Sequence, residues 1–302
     1  MTRPLLAIDG DNFAHRAFHA LPKTIRRKDG HQAGAIVGFA NFLLGLIDQE
    51  QPRAIVVGWD TLEAPNFRQR LFPAYQSGRE FDPALIGQLS AIPDFVRACG
   101  FANAKAPGHE ADDFLAAAAA SEDRRGGTTL VASGDRDAFQ LASETTTILH
   151  PIKAGQMARI GPAEVRERYG VAPNQVPDFI ALRGDPSDKL PGARGIGAKT
   201  AAALLNRYGS LEAVLADARF PEQADALRLY KHIAAMDPAA PLPDLGDQQP
   251  TWERAATLAR DWGLDRLARR LEEIPAGTSH KPTAPLSSAA PPRHVGPTAK
   301  SR

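Results

Sequence analysis

Cysteine is almost absent: Cys99 is the only one among 302 residues. No disulfide can form within the chain, so a small disulfide scaffold is excluded and a reducing compartment is expected. Cys99 itself reads as a small apolar core residue. An excess of charge is lacking too, the net charge being +1, so no polyanionic partner is announced by the overall field. Such a partner has to be argued from local patches. No run approaches the roughly 20 apolar residues of a membrane span. Met1 to Asp9 also lacks the apolar centre of a signal peptide. A cytoplasmic protein without a membrane partner is expected. Metal-binding His/Cys patterns are missing as well: His15, His19, His31 and His109 lack ligand-like spacing and read as surface or turn residues. No internal repeat is present.

Hydrophobic residues make up 43% of the chain, enough to build one large domain or two smaller ones with real cores. Pro4 to Ile8 is an apolar run ending in Asp9-Gly10, and Ala54 to Trp59 is another ending in Asp60. Thr128 to Ala132 is a third, followed by Ser133-Gly134-Asp135-Arg136-Asp137. Each reads as a buried strand with an acid at its carboxyl end. Helical spacing lies between them, in Ile36, Phe39, Phe42, Leu43, Leu46 and Ile47 and again from Phe114 to Ala120. Strands alternating with helices imply an α/β, doubly wound, mainly parallel sheet, whose ligands bind beyond the carboxyl ends of the strands. Asp9, Asp60 and Asp135 would all arrive at that edge.

More acids join them. Pro107-Gly108 breaks the chain before Glu110-Ala111-Asp112-Asp113, which falls in the first turn of the following helix. Acids in a first turn also favour the helix dipole by about 0.3–1 kcal/mol each, so alone they would mean little. So many carboxylates at one edge must protonate or bind cations. All-oxygen ligands suit hard divalent ions, and Mg²⁺ takes few carboxylates per ion, so the number of acids points to at least two ions.

Leu62 to Pro83 interleaves Arg68, Arg70 and Arg79 with Phe67, Phe72, Tyr75 and Phe81. Beside a metal site this suits single-stranded nucleic acid, with guanidiniums on phosphates and rings stacking on bases. Val176 to Leu182 is helical in pattern and leads into Gly184-Asp185-Pro186-Ser187-Asp188. Pro191 to Thr200 comes next, a Gly-rich turn opening the helix Ala201 to Tyr208. Such a turn exposes backbone N–H groups as a phosphate seat. With Arg194 and Lys199 beside it, a helix-hairpin-helix contact to a DNA backbone is expected. Short packing helices continue as far as Leu271. From about Pro275 the chain is rich in Pro, Ser, Thr and Ala and reads as a disordered tail.

Taken in order, Ile8-Asp9-Gly10, Trp59-Asp60, Glu110 to Asp113, Gly134 to Asp137, Gly184 to Gly192 and Gly195 to Ala201 resemble the 5′ nucleases. The likeness is greatest to the 5′→3′ exonuclease domain of bacterial DNA polymerase I and its flap-endonuclease-like relatives. It runs from Leu5 to Ile274. The resemblance implies that Asp9, Asp60, Glu110, Asp112, Asp113, Asp135, Asp137, Asp185 and Asp188 form an acidic cluster. That cluster would hold two or more Mg²⁺ or Mn²⁺ ions. It places Arg16, Tyr75 and Arg79 at the scissile region and Arg68 and Arg70 in an arch over the single strand. It places Gly192, Arg194, Gly195, Gly197, Lys199 and Thr200 in a duplex-binding hairpin that takes K⁺ on its carbonyls. The implied organisation is a PIN-like nuclease domain over 1–170 with the arch at 62–90, a helical DNA-binding region over 171–274, and the tail at 275–302. The implied substrates are DNA flaps, nicks and RNA primers, with a separate DNA polymerase as partner. Tyr75-Gln76 departs from the Tyr-Lys common in relatives, removing a cation from the arch. Two other readings are a ribonuclease of related fold and a DNA-structure-binding protein with weak catalysis.

Overall fold

The computed structural model describes residues 3–61, 65–78, 80–153 and 155–275. Arg79, part of the expected arch and the tail beyond Pro275 lie outside the described residues.

The three apolar runs form the middle of a six-stranded sheet. Its strands are β1 (Leu5–Asp9), β2 (Ala54–Gly58), β3 (Ala102–Ala104), β4 (Thr129–Ala132), β5 (Thr146–Lys153) and β6 (Gln156–Ile160), in the order β3-β2-β1-β4-β5-β6. Neighbours from β3 through β5 pair in parallel, and β6 returns antiparallel along β5. Leu5 of β1 aligns with Ala54 on one side and Thr129 on the other. That register brings Asp9, Asp60 and Asp135 to one sheet edge, on either side of the point where the strand order reverses.

Alternation along the strands makes two cores. Leu5, Ala7, Val56 and Val131 face one side, against Phe114 and Leu115 of α5 (Ala111–Arg124). Leu6, Ile8, Ile55 and Val57 face the other. There they meet α1 (Gly10–Ala20), α2 (Gly34–Glu50) and, beyond the short α3 (Phe67–Leu71), α4 (Pro83–Ala98). Burying such side chains contributes about 1.5–3 kcal/mol each.

The first face is extended by α6 (Pro162–Tyr169), α7 (Val176–Arg183), α8 (Ala198–Tyr208), α9 (Leu211–Ala216) and α10 (Ala224–Ala234). The last two helices, α11 (Trp252–Asp261) and α12 (Asp265–Glu272), return to the second face, with Ala255, Ala259, Leu267 and Leu271 buried there. Among the described residues no helix is long and apolar enough to cross a membrane.

Candidate metal and nucleic-acid site

The site lies where the strand ends meet the start of α5. Gly58 ends β2 beneath α5, and a Cβ there would lie 2.7 Å from the Ala111 carbonyl oxygen. That close approach lets the Ala111 N–H reach Asp60 Oδ1 at 2.8 Å. Asp9 caps α1 by accepting from the Asn12 N–H at 3.0 Å, and its other oxygen accepts from Ser133 Oγ at 2.9 Å. Ser133 Oγ in turn accepts from the Asp135 N–H at 3.0 Å, and Asp135 Oδ1 accepts from the Asp137 N–H at 2.9 Å. Each acid is thus oriented by backbone of its own or a neighbouring element.

Asp9, Asp60, Glu110, Asp112, Asp135, Asp137 and Asp188 line one open cavity of about 600 Å³. Burial, reinforced by Asp60 and Asp135, pushes the Asp9 carboxyl up to about 7. Glu110 is also raised to about 7, by burial and despite Arg68 beside it. Asp112 and Asp137 are raised by burial and then by neighbouring carboxylates. Asp112 Oδ1 is buried with no hydrogen-bond partner. An orphaned oxygen among mutually repelling carboxylates is the environment a hard cation satisfies. Among the described residues no three His, Cys, Asp or Glu side chains close on a single point. A donor set this spread fits ions that keep several waters, as Mg²⁺ does, rather than a tight protein cage.

Asp113 leaves the acidic set, and Arg68 leaves the DNA-facing one, because they pair with each other. Asp113 is 0% exposed and faces the core. Its oxygens accept from Arg68 Nη2 at 2.7 Å and Nη1 at 2.9 Å, and from the N–H groups of Glu110 at 3.0 Å and Asp237 at 2.9 Å. Burial works to raise this carboxyl, but the Arg68 hydrogen bonds and charge outweigh it and hold Asp113 below the usual range. With its acceptor directions filled, it has none to offer a metal. Arg68, expected on the DNA, is 3% exposed and also donates to the carbonyls of Ile233 and Ala235. It is a buried structural cation tying α3 to α5 and to the end of α10.

Other residues keep their place but change their task. Tyr75 lines the cavity, 4% exposed, and its hydroxyl donates to Glu110 Oε2 at 3.0 Å. Burial and nearby Glu110 keep that phenol protonated. Asp185, expected among the metal-holding acids, does not line the cavity: it lies behind the wall, accepting from Arg183 Nη2 at 2.9 Å and from the Ser187 N–H at 2.8 Å. Gly192, at φ +74°, is buried in the hairpin stem, where a Cβ would lie 2.4 Å from the Gly184 nitrogen. Its role there is close packing rather than contact with DNA. Arg194, Gly195, Gly197, Lys199 and Thr200 are exposed at the hairpin tip and the start of α8, which no side chain caps. Arg70 is exposed and donates to the Pro65 carbonyl at 2.8 Å.

Arg16 is exposed on α1. Burial holds His150 in its neutral form to lower pH than usual; its contact with the Ser133 carbonyl works against this, and the charges of Arg136, Arg168 and Arg16 add to it. That cationic rim borders the acids from the β4–β5 side.

The structure adds three cavity acids that the sequence pattern did not single out, Asp11, Glu80 and Asp82. Asp11 lines the same cavity, and its Oδ2 accepts from the Asp60 N–H at 2.7 Å. Burial and Asp60 raise its carboxyl well above the ordinary value. The signal was its spacing of two from Asp9, which also reads as an ordinary first-turn acid of α1.

Comparison with known proteins agrees with this geometry. Residues 4–170 match the family described as 5′-3′ exonuclease, N-terminal resolvase-like domain, and residues 171–255 match 5′-3′ exonuclease, C-terminal SAM fold. DNA polymerase I of Mycobacterium tuberculosis is 37% identical over 276 residues, covering 89% of this chain and 30% of the relative. Thermostable DNA polymerase I of Thermus aquaticus is 35% identical over 292 residues, covering 90% and 34%. The chain therefore spans about a third of the length of these relatives. Among solved structures, the T5 5′-exonuclease with divalent metal ions (zinc) bound superposes with a TM-score of 0.65 at 18% identity, covering 90% of this chain and 99% of that one. The catalytic core of Rad2 in complex with DNA substrate gives 0.58 at 13%, covering 92% and 93%. The structures share the fold, and the sequence matches carry the assignment: this chain belongs to the 5′-3′ exonuclease family.

Proposed function

We propose that this chain is a divalent-metal-dependent, structure-selective 5′ nuclease that hydrolyses phosphodiesters near DNA 5′ ends, acting on flaps, nicks and RNA primers in replication and repair. The observation that carries the proposal is the cavity of clustered acids, with the buried Asp112 Oδ1 left without a hydrogen-bond partner, at the carboxyl edge of a sheet whose sequence belongs to an exonuclease family. Carboxylates alone repel a phosphodiester, so the cavity makes chemical sense only with cations between the two. Asp9, Asp60, Glu110, Asp112, Asp135, Asp137 and Asp188 would hold Mg²⁺ or Mn²⁺, and Asp11 would orient Asp60. Bound ions would activate a water and stabilise the leaving oxygen.

The chain's own groups supply the positioning. Arg16 and Arg70 would meet phosphates of the single strand. The hairpin tip at Arg194, Gly195, Gly197, Lys199 and Thr200 would hold the duplex backbone, with K⁺ on its carbonyls. Residues 1–170 would form the nuclease unit and 171–274 the duplex-binding unit. The relatives named DNA polymerase I favour a polymerase as functional partner.

The test is cleavage of a 5′-end-labelled flap and of a nicked duplex with Mg²⁺, Mn²⁺ or EDTA, beside Asp135→Ala. Cutting near the junction that needs metal and falls by at least about 100-fold in the variant is expected. Tight flap binding with no cutting in either metal would replace the nuclease with a structure-binding protein. Faster cutting of a matched RNA flap would reassign the substrate.

A further inference from the structure

The turn between α3 and α4 is pinned to the loop after α7 at two adjacent points. Gln76 Nε2 donates to Asp188 Oδ1 at 2.9 Å and to Tyr75 Oη at 2.9 Å. Tyr75 Oη passes its own hydrogen to Glu110 Oε2 at 3.0 Å. Next to them, the Lys189 ammonium donates to the Ser77 carbonyl and to Ser77 Oγ, the latter at 3.0 Å. A single line of donors therefore joins Glu110, at the start of α5, to Asp188, in the loop after α7. Both ends of that line are cavity acids.

The backbone marks the same two residues. Gln76 has φ +48° and Lys189 φ +58°, the left-handed region that side-chain-bearing residues seldom adopt. Such conformations persist where their surroundings over-determine them, and they cluster at functional sites. Here the surroundings are the other residue's partner: Gln76 reaches Asp188, and Lys189 reaches Ser77.

We propose that Gln76 is a positioning residue for Asp188, and that Lys189 clamps the 72–78 turn so that Gln76 stays in place. A carboxylate that ligates a metal is oriented by its outer hydrogen-bond partner, and losing that partner weakens the metal. An amide performs this role without cancelling charge. The arch turn and the metal affinity of the Asp188 side are thereby linked: whatever displaces the turn also releases Asp188. This inference rests on Asp188 belonging to the proposed metal site.

The test is Mn²⁺ binding to the full chain without DNA, followed by calorimetry, for the wild type, Gln76→Leu, Lys189→Met, Lys189→Arg and Asp188→Ala. Gln76→Leu is expected to weaken Mn²⁺ about tenfold. Its cleavage rate should approach wild type at saturating Mn²⁺, a split that general loss of structure would not give. Lys189→Met should shift affinity the same way by less, and Lys189→Arg should restore it. Wild-type affinity in Gln76→Leu, with Asp188→Ala weakened, would overturn the positioning role and leave the metal site standing. Unchanged affinity in Asp188→Ala would remove Asp188 from the site and the inference with it. If Gln76→Leu weakens binding and Lys189→Met does not, the clamp is wrong.

Discussion

Asp112 and Asp113 are adjacent in the first turn of α5, the first half-buried and the second fully buried, and their surroundings are opposite. Asp113 points into the core against a guanidinium that matches its two oxygens. Asp112 points into a cavity of like charges with one oxygen unpartnered. The first arrangement resolves the cost of a buried charge within the protein. The second leaves it open, and an unresolved charge in a folded protein marks where something else binds. One helical turn thus carries a structural acid and, in the proposed function, a metal-holding acid side by side, separated only by the direction in which consecutive residues leave a helix.

The most severe way to break the comparison is to take away the internal cation. Arg68→Ala would leave Asp113 as an uncompensated buried charge and cost about 3–5 kcal/mol, read by chemical unfolding of the metal-free protein. A cost under about 1 kcal/mol would mean that Asp113 reaches water or another cation.

pH separates the two kinds of acid less drastically. Asp9 and Glu110 are raised to about 7 in the fold. The folded state therefore binds more protons than the unfolded chain between the ordinary carboxylate range and about 7. Their contribution to metal-free stability falls as pH rises through that window. Asp113 has the opposite sign: held below its ordinary value, it contributes stability above that value that is lost on acidification. Divalent metal should reverse the first trend, because binding releases those protons and stabilises only the folded state. Thermal unfolding from pH 5 to pH 8, with and without Mn²⁺, checks this: the Mn²⁺ gain should grow with pH. A gain independent of pH would place the ions away from Asp9 and Glu110.

Much of this site was readable before the fold was known, for a definite reason. Asp9, Asp60 and Asp135 each come directly after an apolar run, and parallel strands deliver their carboxyl-terminal neighbours to one edge whatever the details of packing. The fate of Asp113 was not readable in that way, because its partner Arg68 comes from α3 and nothing in the spacing shows that α3 folds onto α5. A local hint existed: Asp113 stands three residues after Glu110, and its carboxylate accepts from the Glu110 N–H as a capping acid does. Arg68 and Arg70 look equivalent in sequence, yet the Asn66 cap sets the phase of α3 so that Arg68 turns inward and Arg70 outward.

The edge of the sheet was missed for another reason. β3 is only three residues long, and β5 carries Pro151 and half-exposed positions that blur its alternation. Strands whose pairing is decided by their neighbours leave a weak periodic signal.

The most direct measurement is Mn²⁺ binding and unfolding of Asp112→Asn beside Asp113→Asn. The account predicts that Asp112→Asn loses Mn²⁺ affinity while staying as stable as the wild type or more so, since a repelling charge is gone. It predicts that Asp113→Asn is destabilised and, where folded, binds Mn²⁺ like the wild type. Loss of Mn²⁺ binding in folded Asp113→Asn, or its retention in Asp112→Asn, would contradict the division of these two acids and the metal site built on it.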